Sequence, residues 1–187
     1  MTTANGSAEF NAIIDSLLDA PNELAVQRVK KLAERGNGHA HALLGVIYET
    51  GLYGVDRDES LALDHYNRAI VGAKSVEGWL GVARLTLRHA QHQEQFRQAE
   101  RIYAEVGDEA ERAEPWLALG RIALYGLSGS PDLRRARTYF SRAAEFGEPL
   151  GLTGIALIDW REGKYLRSIY LRSKAVIKSL RRDLAGN

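Results

Sequence analysis

Residues 36–73 read GNGHAHALLGVIYETGLYGVDRDESLALDHYNRAIVGA, and this stretch decides the fold. Ala40, Leu44, Gly45 and Tyr48 sit at helical spacing. Gly51 and Gly54 then break the run, Asp58 stands where a second helix needs an N-cap, and Ala62, Tyr66 and Ala69 continue at helical spacing. The segment therefore reads as helix A, a Gly-rich turn and helix B. Stepping outward by 37 residues from Ala62 reaches Ala25, Ala99, Ala136 and Ser173. The same step links Val29, Tyr66, Tyr103, Phe140 and Ile177, and also Leu32, Ala69, Val106, Ala143 and Leu180. All these positions are small or apolar. Offsets of 0, +4 and +7 share one face of a helix, so each period contains a helix that buries the same stripe, the signature of stacked helical units.

The A helices carry their own mark. Leu44-Gly45 returns as Leu80-Gly81 and Leu119-Gly120, and more weakly at Gly154. A glycine inside a helix costs roughly 1 kcal/mol relative to alanine, so its return predicts a close approach by the neighbouring helix. Pro21, Pro115, Pro131 and Pro149 all precede periodic segments, where a missing N–H is harmless. Ser130-Pro131 reads as an N-cap followed by Pro at the first helical position, and Gly126/Gly129 as the counterpart of the Gly51/Gly54 turn. The fold expected is all-α, a right-handed α/α superhelical solenoid of about five two-helix repeats. It forms one domain over 1–187, with a partial unit at 7–36, repeats at 37–73, 74–107 and 108–147, and a C-terminal repeat with a capping helix at 148–187.

These residues resemble the SEL-one-like repeat (SLR), a relative of the tetratricopeptide repeat. The marks in 36–73 are Leu44-Gly45, Tyr48, Gly51, Gly54, Val55, Asp58, Ala62, Tyr66, Arg68, Ala69 and Gly72. Residues 113–147 look like a second copy, with Leu119-Gly120, Gly126, Asp132, Ala136, Tyr139-Phe140, Arg142-Ala143-Ala144 and Gly147. The unit at 74–107 departs from the pattern: Arg84 replaces the tyrosine, and RHAQHQEQ at 88–95 replaces the Gly turn. The resemblance implies a non-enzymatic adaptor or scaffold for a protein or peptide partner, often in bacterial signalling, envelope or polysaccharide systems. It implies no catalytic residues and no cofactor.

Composition agrees with an ordinary globular chain: 45% hydrophobic and 26% charged residues, four prolines and no cysteine, which leaves neither disulfides nor thiolate metal sites. The first residues lack a basic segment followed by an apolar one, and no stretch of 18 apolar residues occurs, so a cytoplasmic location is expected. Net charge is +1, unevenly spread. Residues 1–130 hold 13 Lys+Arg against 18 Asp+Glu, and residues 131–187 hold 12 against 6.

Chemistry-bearing motifs are sparse. GLYGVD and GLSGSPD lack the Lys-Ser/Thr of a phosphate loop and lie between helices, so they read as turns. His39 and His41 point to different helix faces. His89 and His92, at i and i+3, have only Glu94 as a third donor and read as exposed side chains rather than as metal ligands. His65 takes a helix B place filled by Ile102, Tyr139 and Val176 in other units, so it reads as packed rather than as a base. Glu105, Asp108, Glu109, Glu111 and Glu114 straddle a helix junction and read as a solvated face.

Two surfaces stand out. In related helical repeats the A helices line the concave side, and residues one, four and five places after the repeated glycines project from it. This predicts a partner groove with Leu85, Leu124 and Ile158 as floor and Glu49, Arg121, Tyr125 and Asp159 as polar contacts, or else a face on which these side chains bury one another. The second is the last helix. Lys164, Arg167, Lys174, Lys178, Arg181 and Arg182 fall within about 100° of arc, with Leu166, Ile169, Val176, Ile177 and Leu180 opposite. A capping helix with a polar outer face is the favoured reading. An anion-binding face for nucleic acid, phospholipid headgroups or an acidic protein is the alternative, and self-association into a homo-oligomer is a third possibility.

Overall fold

The computed structural model describes residues 10–15 and 23–185, and among these there is no strand. Pro21 lies outside the described residues, as does part of the 7–36 unit. After a helical stretch at 10–15 come α1 (Glu23–Glu34), α2 (Gly38–Thr50), α3 (Glu59–Ala73) and α4 (Val76–His89). Next follow α5 (Gln93–Val106), α6 (Glu114–Tyr125), α7 (Leu133–Glu145), α8 (Pro149–Arg161) and α9 (Tyr165–Ala185). The chain divides into two compact units, Met1–Arg88 and His89–Asn187.

In the first unit, Ala25, Val29 and Leu32 of α1 pack with Ala40, Leu44 and Ile47 of α2. Gly51 ends α2 in the left-handed region at φ 73°, a short 3-10 turn at Leu52–Gly54 follows, and Asp58 caps α3 by accepting from the Ser60 and Leu61 amides. Tyr66 of α3 is the keystone. Its ring lies against both Gly45 of α2 and Gly81 of α4; a Cβ on Gly45 would stand 2.5 Å from the ring, and Gly81 leaves less room still. The repeated glycines are thus the close approaches that their cost in a helix predicted.

The second unit repeats the device. Phe140 of α7 lies between Gly120 of α6, where a Cβ would be 2.7 Å away, and Gly154 of α8. Ala123, Leu124, Ala136, Ile155 and Ile158 complete that core. Burying one such aromatic ring contributes roughly 1.5–3 kcal/mol. The cap of α7 differs from expectation. Asp132, not Ser130, is the N-cap and accepts from the Arg135 amide at 2.9 Å, while Pro131 presses on Gly126, the left-handed residue that ends α6.

The 37-residue register fails in its fifth copy. Ala25, Ala62, Ala99 and Ala136 are buried, but Ser173, Ile177 and Leu180 are exposed, and α9 instead turns Ser168 and Ala175 inward. The reason is turn length. Residues 126–132 separate α6 from α7, whereas 162–164 alone separate α8 from α9, with Gly163 at φ 77° making the reversal. The last helix therefore starts earlier in the period, and a different face meets α8. The Ser168 hydroxyl donates to the Ala156 carbonyl at 2.7 Å and pins that face.

Candidate interaction surface

Of the residues expected to form a groove, most are closed off within their own unit. Leu85 and Glu49 in the first unit, and Leu124, Ile158 and Asp159 in the second, are buried; Arg121 and Tyr125 are exposed. The apolar side chains go inward because the A helices pack closely on the B helices at the glycines. The two acids go inward because arginines neutralise them.

Glu49 accepts a hydrogen bond from the Tyr66 hydroxyl at 2.7 Å, from Arg84 at 2.8–3.1 Å and from Arg88 at 2.7 Å. Arg88 also reaches Glu59 at 2.6 Å. Burial alone would raise the Glu49 pKa, but the donors of Arg84, Tyr66 and Arg88 outweigh it and hold it below the usual carboxylate range. Arg84, the departure from the repeat's tyrosine, is thus the partner of a buried acid. Asp159 forms ion pairs with Arg137 at 2.7 Å and Arg167 at 3.3 Å.

His41 and His65 meet through their Nδ1 atoms at 2.9 Å, one donating and the other accepting, and His65 stacks on Tyr48. Burial first, then His41, push the His65 pKa down to about 4. His39 sits on the other, exposed side of α2, and His89 and His92 are exposed around the α4–α5 turn. There the Gln95 side chain accepts from the Gln91 and His92 amides in place of a glycine turn. Among the described residues no group of three or more His, Asp or Glu is placed to hold a metal ion.

What remains accessible on the A-helix side of the second unit is a small polar-aromatic patch. Tyr125 ends α6 half-exposed, the Arg161 guanidinium lies over its ring at 5.6 Å, and Arg121 stands one turn earlier on the same helix. Arg161 also donates to the Leu124 carbonyl at 3.4 Å, which fixes it above the ring. Sequence spacing places Arg121 and Tyr125 on this side of the helix but does not bring in Arg161, which lies 36 residues from Tyr125, close to one repeat length.

Most of the basic face of α9 is engaged. Lys164 pairs with Glu162, Arg167 with Asp159 and Arg182 with Glu148, and Lys178 donates to the Ala144 carbonyl. Lys174 and Arg181 are exposed and have no hydrogen-bond or ion-pair partner among the described residues. The opposite face corrects the expectation of a polar outer surface. Leu166, Ile169, Val176, Ile177 and Leu180 all point to solvent.

The Sel1 repeat pattern matches residues 38–70 and 117–147. No curated protein sequence matches the chain. Among solved structures, a Sel1 repeat protein from Oxalobacter formigenes superposes with a TM-score of 0.69 at 21% identity, over 82% of this chain and 62% of that one. The protein c5321 of uropathogenic Escherichia coli, a protective antigen with an SLR fold, gives 0.66 at 17% identity over 82% and 37%. Pseudomonas aeruginosa pilF gives 0.67 at 18% identity over 91% and 76%. The chain thus spans less than two thirds of the first two, and at these identities the likeness is one of fold. Two Sel1 matches thus fall on the helix pairs α2–α3 and α6–α7, and in these and in its fold the chain is similar to the SLR family of tetratricopeptide-related helical repeats.

Proposed function

We propose that this chain is a non-enzymatic adaptor or scaffold, one helical-repeat domain that binds a protein or peptide through its A-helix surface. The observation that carries the reading is the patch of Arg121, Tyr125 and Arg161, where an arginine and a tyrosine stand accessible on a helix whose other large side chains are buried or partly buried. Arg and Tyr are the types that dominate interface energetics, because each brings a rigid planar surface with hydrogen-bonding capacity. The Sel1 repeat supports the same reading, since repeats of this kind mediate protein–protein contacts.

Affinity capture tests it. The wild-type chain and the Arg121→Ala/Tyr125→Ala variant serve as parallel baits in extract of the native cell, with bound proteins quantified. The reading expects a protein retained by the wild type and depleted on the variant. Equal retention by both baits would move the binding surface elsewhere.

A further inference from the structure

The most exposed apolar surface among the described residues is one face of α9. Leu166 is 86% exposed and Leu184 79%, with Ile169, Tyr170, Val176, Ile177 and Leu180 each more than half exposed. At 100° per residue these side chains, with Tyr165, form a stripe about 140° wide. The helix has 21 residues, so the stripe runs for about 30 Å. An apolar strip of this size open to water marks a binding surface.

What borders the stripe identifies its occupant. Tyr165 and Tyr170 stand at its two margins. Beyond Tyr170 come Lys174 and Arg181, both exposed and without an ion-pair partner among the described residues. Beyond Tyr165 comes Arg172, stacked over Trp160 at 5.6 Å, and Trp160 in turn meets Tyr165 edge-on at 4.8 Å. The helix has a single carboxylate, Asp183. A second copy of the same face would set Lys174 and Arg181 against a like row of cations, so self-pairing is opposed by charge. Apolar side chains with the small Ser173 among them in the middle, interface-seeking tyrosines at both margins, Asp183 beside Tyr165, and cations outside them match the layering of a bilayer surface with anionic headgroups. No helix among the described residues is long and apolar enough to cross a membrane, so α9 would lie on the surface.

We propose that α9 docks the protein onto anionic lipid surfaces, its Leu166–Leu184 stripe entering the acyl boundary and Lys174 and Arg181 meeting the headgroups. The attachment is peripheral and leaves the Arg121/Tyr125 patch on α6 to serve a protein partner.

Co-sedimentation of the full chain with vesicles tests this, using phosphatidylcholine alone and phosphatidylcholine with phosphatidylglycerol at about 7:3. The wild type is expected to pellet with the anionic vesicles and to stay in solution with the neutral ones. A basic residue near an anionic surface contributes about fivefold in partitioning, so Lys174→Gln/Arg181→Gln should lose more than about tenfold. Ile169→Gln/Ile177→Gln/Leu180→Gln should lose at least as much with an unchanged circular dichroism spectrum, since all three side chains are exposed. Arg121→Ala/Tyr125→Ala should pellet as the wild type does. The proposal is overturned if the wild type ignores anionic vesicles, or if the Gln variants pellet undiminished. It is equally overturned if light scattering shows a dimer that the triple variant dissolves, or if the stripe takes up an acidic amphipathic peptide while vesicles stay unbound.

Discussion

Glu49 shows how one residue's role depends on partners far away in sequence. Its spacing places it on the outward side of an A helix, yet Arg84 and Arg88, at i and i+4 on α4, draw it inward with the Tyr66 hydroxyl as third donor. Replacing Glu49 by Ala leaves the buried Tyr66 hydroxyl without its carboxylate acceptor and takes one of their carboxylates from Arg84 and Arg88, which keep Glu77 and Glu59, and such a loss costs about 1–3 kcal/mol. Denaturant unfolding should show the midpoint fall accordingly, whereas Glu59→Ala, at a more exposed carboxylate, should change it far less. The His41–His65 contact makes a second prediction. A shared Nδ1 hydrogen bond requires at least one neutral ring. The charges around it are mixed, with Asp64 and Arg68 on α3 and Lys30 on α1. The folded His65 pKa, about 4, lies below its ordinary 6.5, so the folded state resists protonation. Its contribution is fully present above pH 6.5 and is lost as pH falls toward 4. Melting temperature followed from pH 7 to pH 4 should drop, and His65→Gln should flatten that part of the profile.

Helix pairs were the most legible level. Four copies of the Ala register, the paired Gly turn at 51 and 54, Asp58 as a cap and the recurrent A-helix glycines were all readable, because each is a local demand of helix geometry that the sequence repeats. The fifth register was not. Ser173, Ile177 and Leu180 satisfy the pattern in composition, but a turn shortened to 162–164 rotates α9, and periodicity counted along the chain assumes a constant turn length. Likewise Ser130 looked like a cap because Pro131 follows it, while the extra two residues bring Asp132 to the helix start. The clasp of an aromatic ring between two glycines carries the element-scale prediction. Gly120→Ala gains about 1 kcal/mol of helix propensity but thrusts a methyl group into Phe140, and overpacking of this kind costs about 1–3 kcal/mol, so the net change should be destabilising. A raised melting temperature for Gly120→Ala would mean that the close approach is absent. Gly147→Ala makes a useful contrast, since a Cβ there meets nothing and the loss comes from its φ of 88° alone.

At the scale of the molecule, the buried polar groups neutralise one another inside their units, and what faces outward is a polar-aromatic patch on α6 and α8 and an apolar, cation-edged helix at the C-terminal end. The fold class was readable because 37-residue periodicity survives in most of the chain. The surfaces were only half readable, since exposure depends on which neighbour covers a side chain, and spacing names the face without naming the neighbour. On the proposed function, the protein works by binding a partner at the exposed A-helix surface. Calorimetric titration of the captured protein into wild type, Arg121→Ala and Tyr125→Ala tests it most directly. Each variant should weaken binding by about 1–2 kcal/mol, roughly fivefold to thirtyfold in Kd, at unchanged melting temperature. Wild-type affinity in both variants would contradict it.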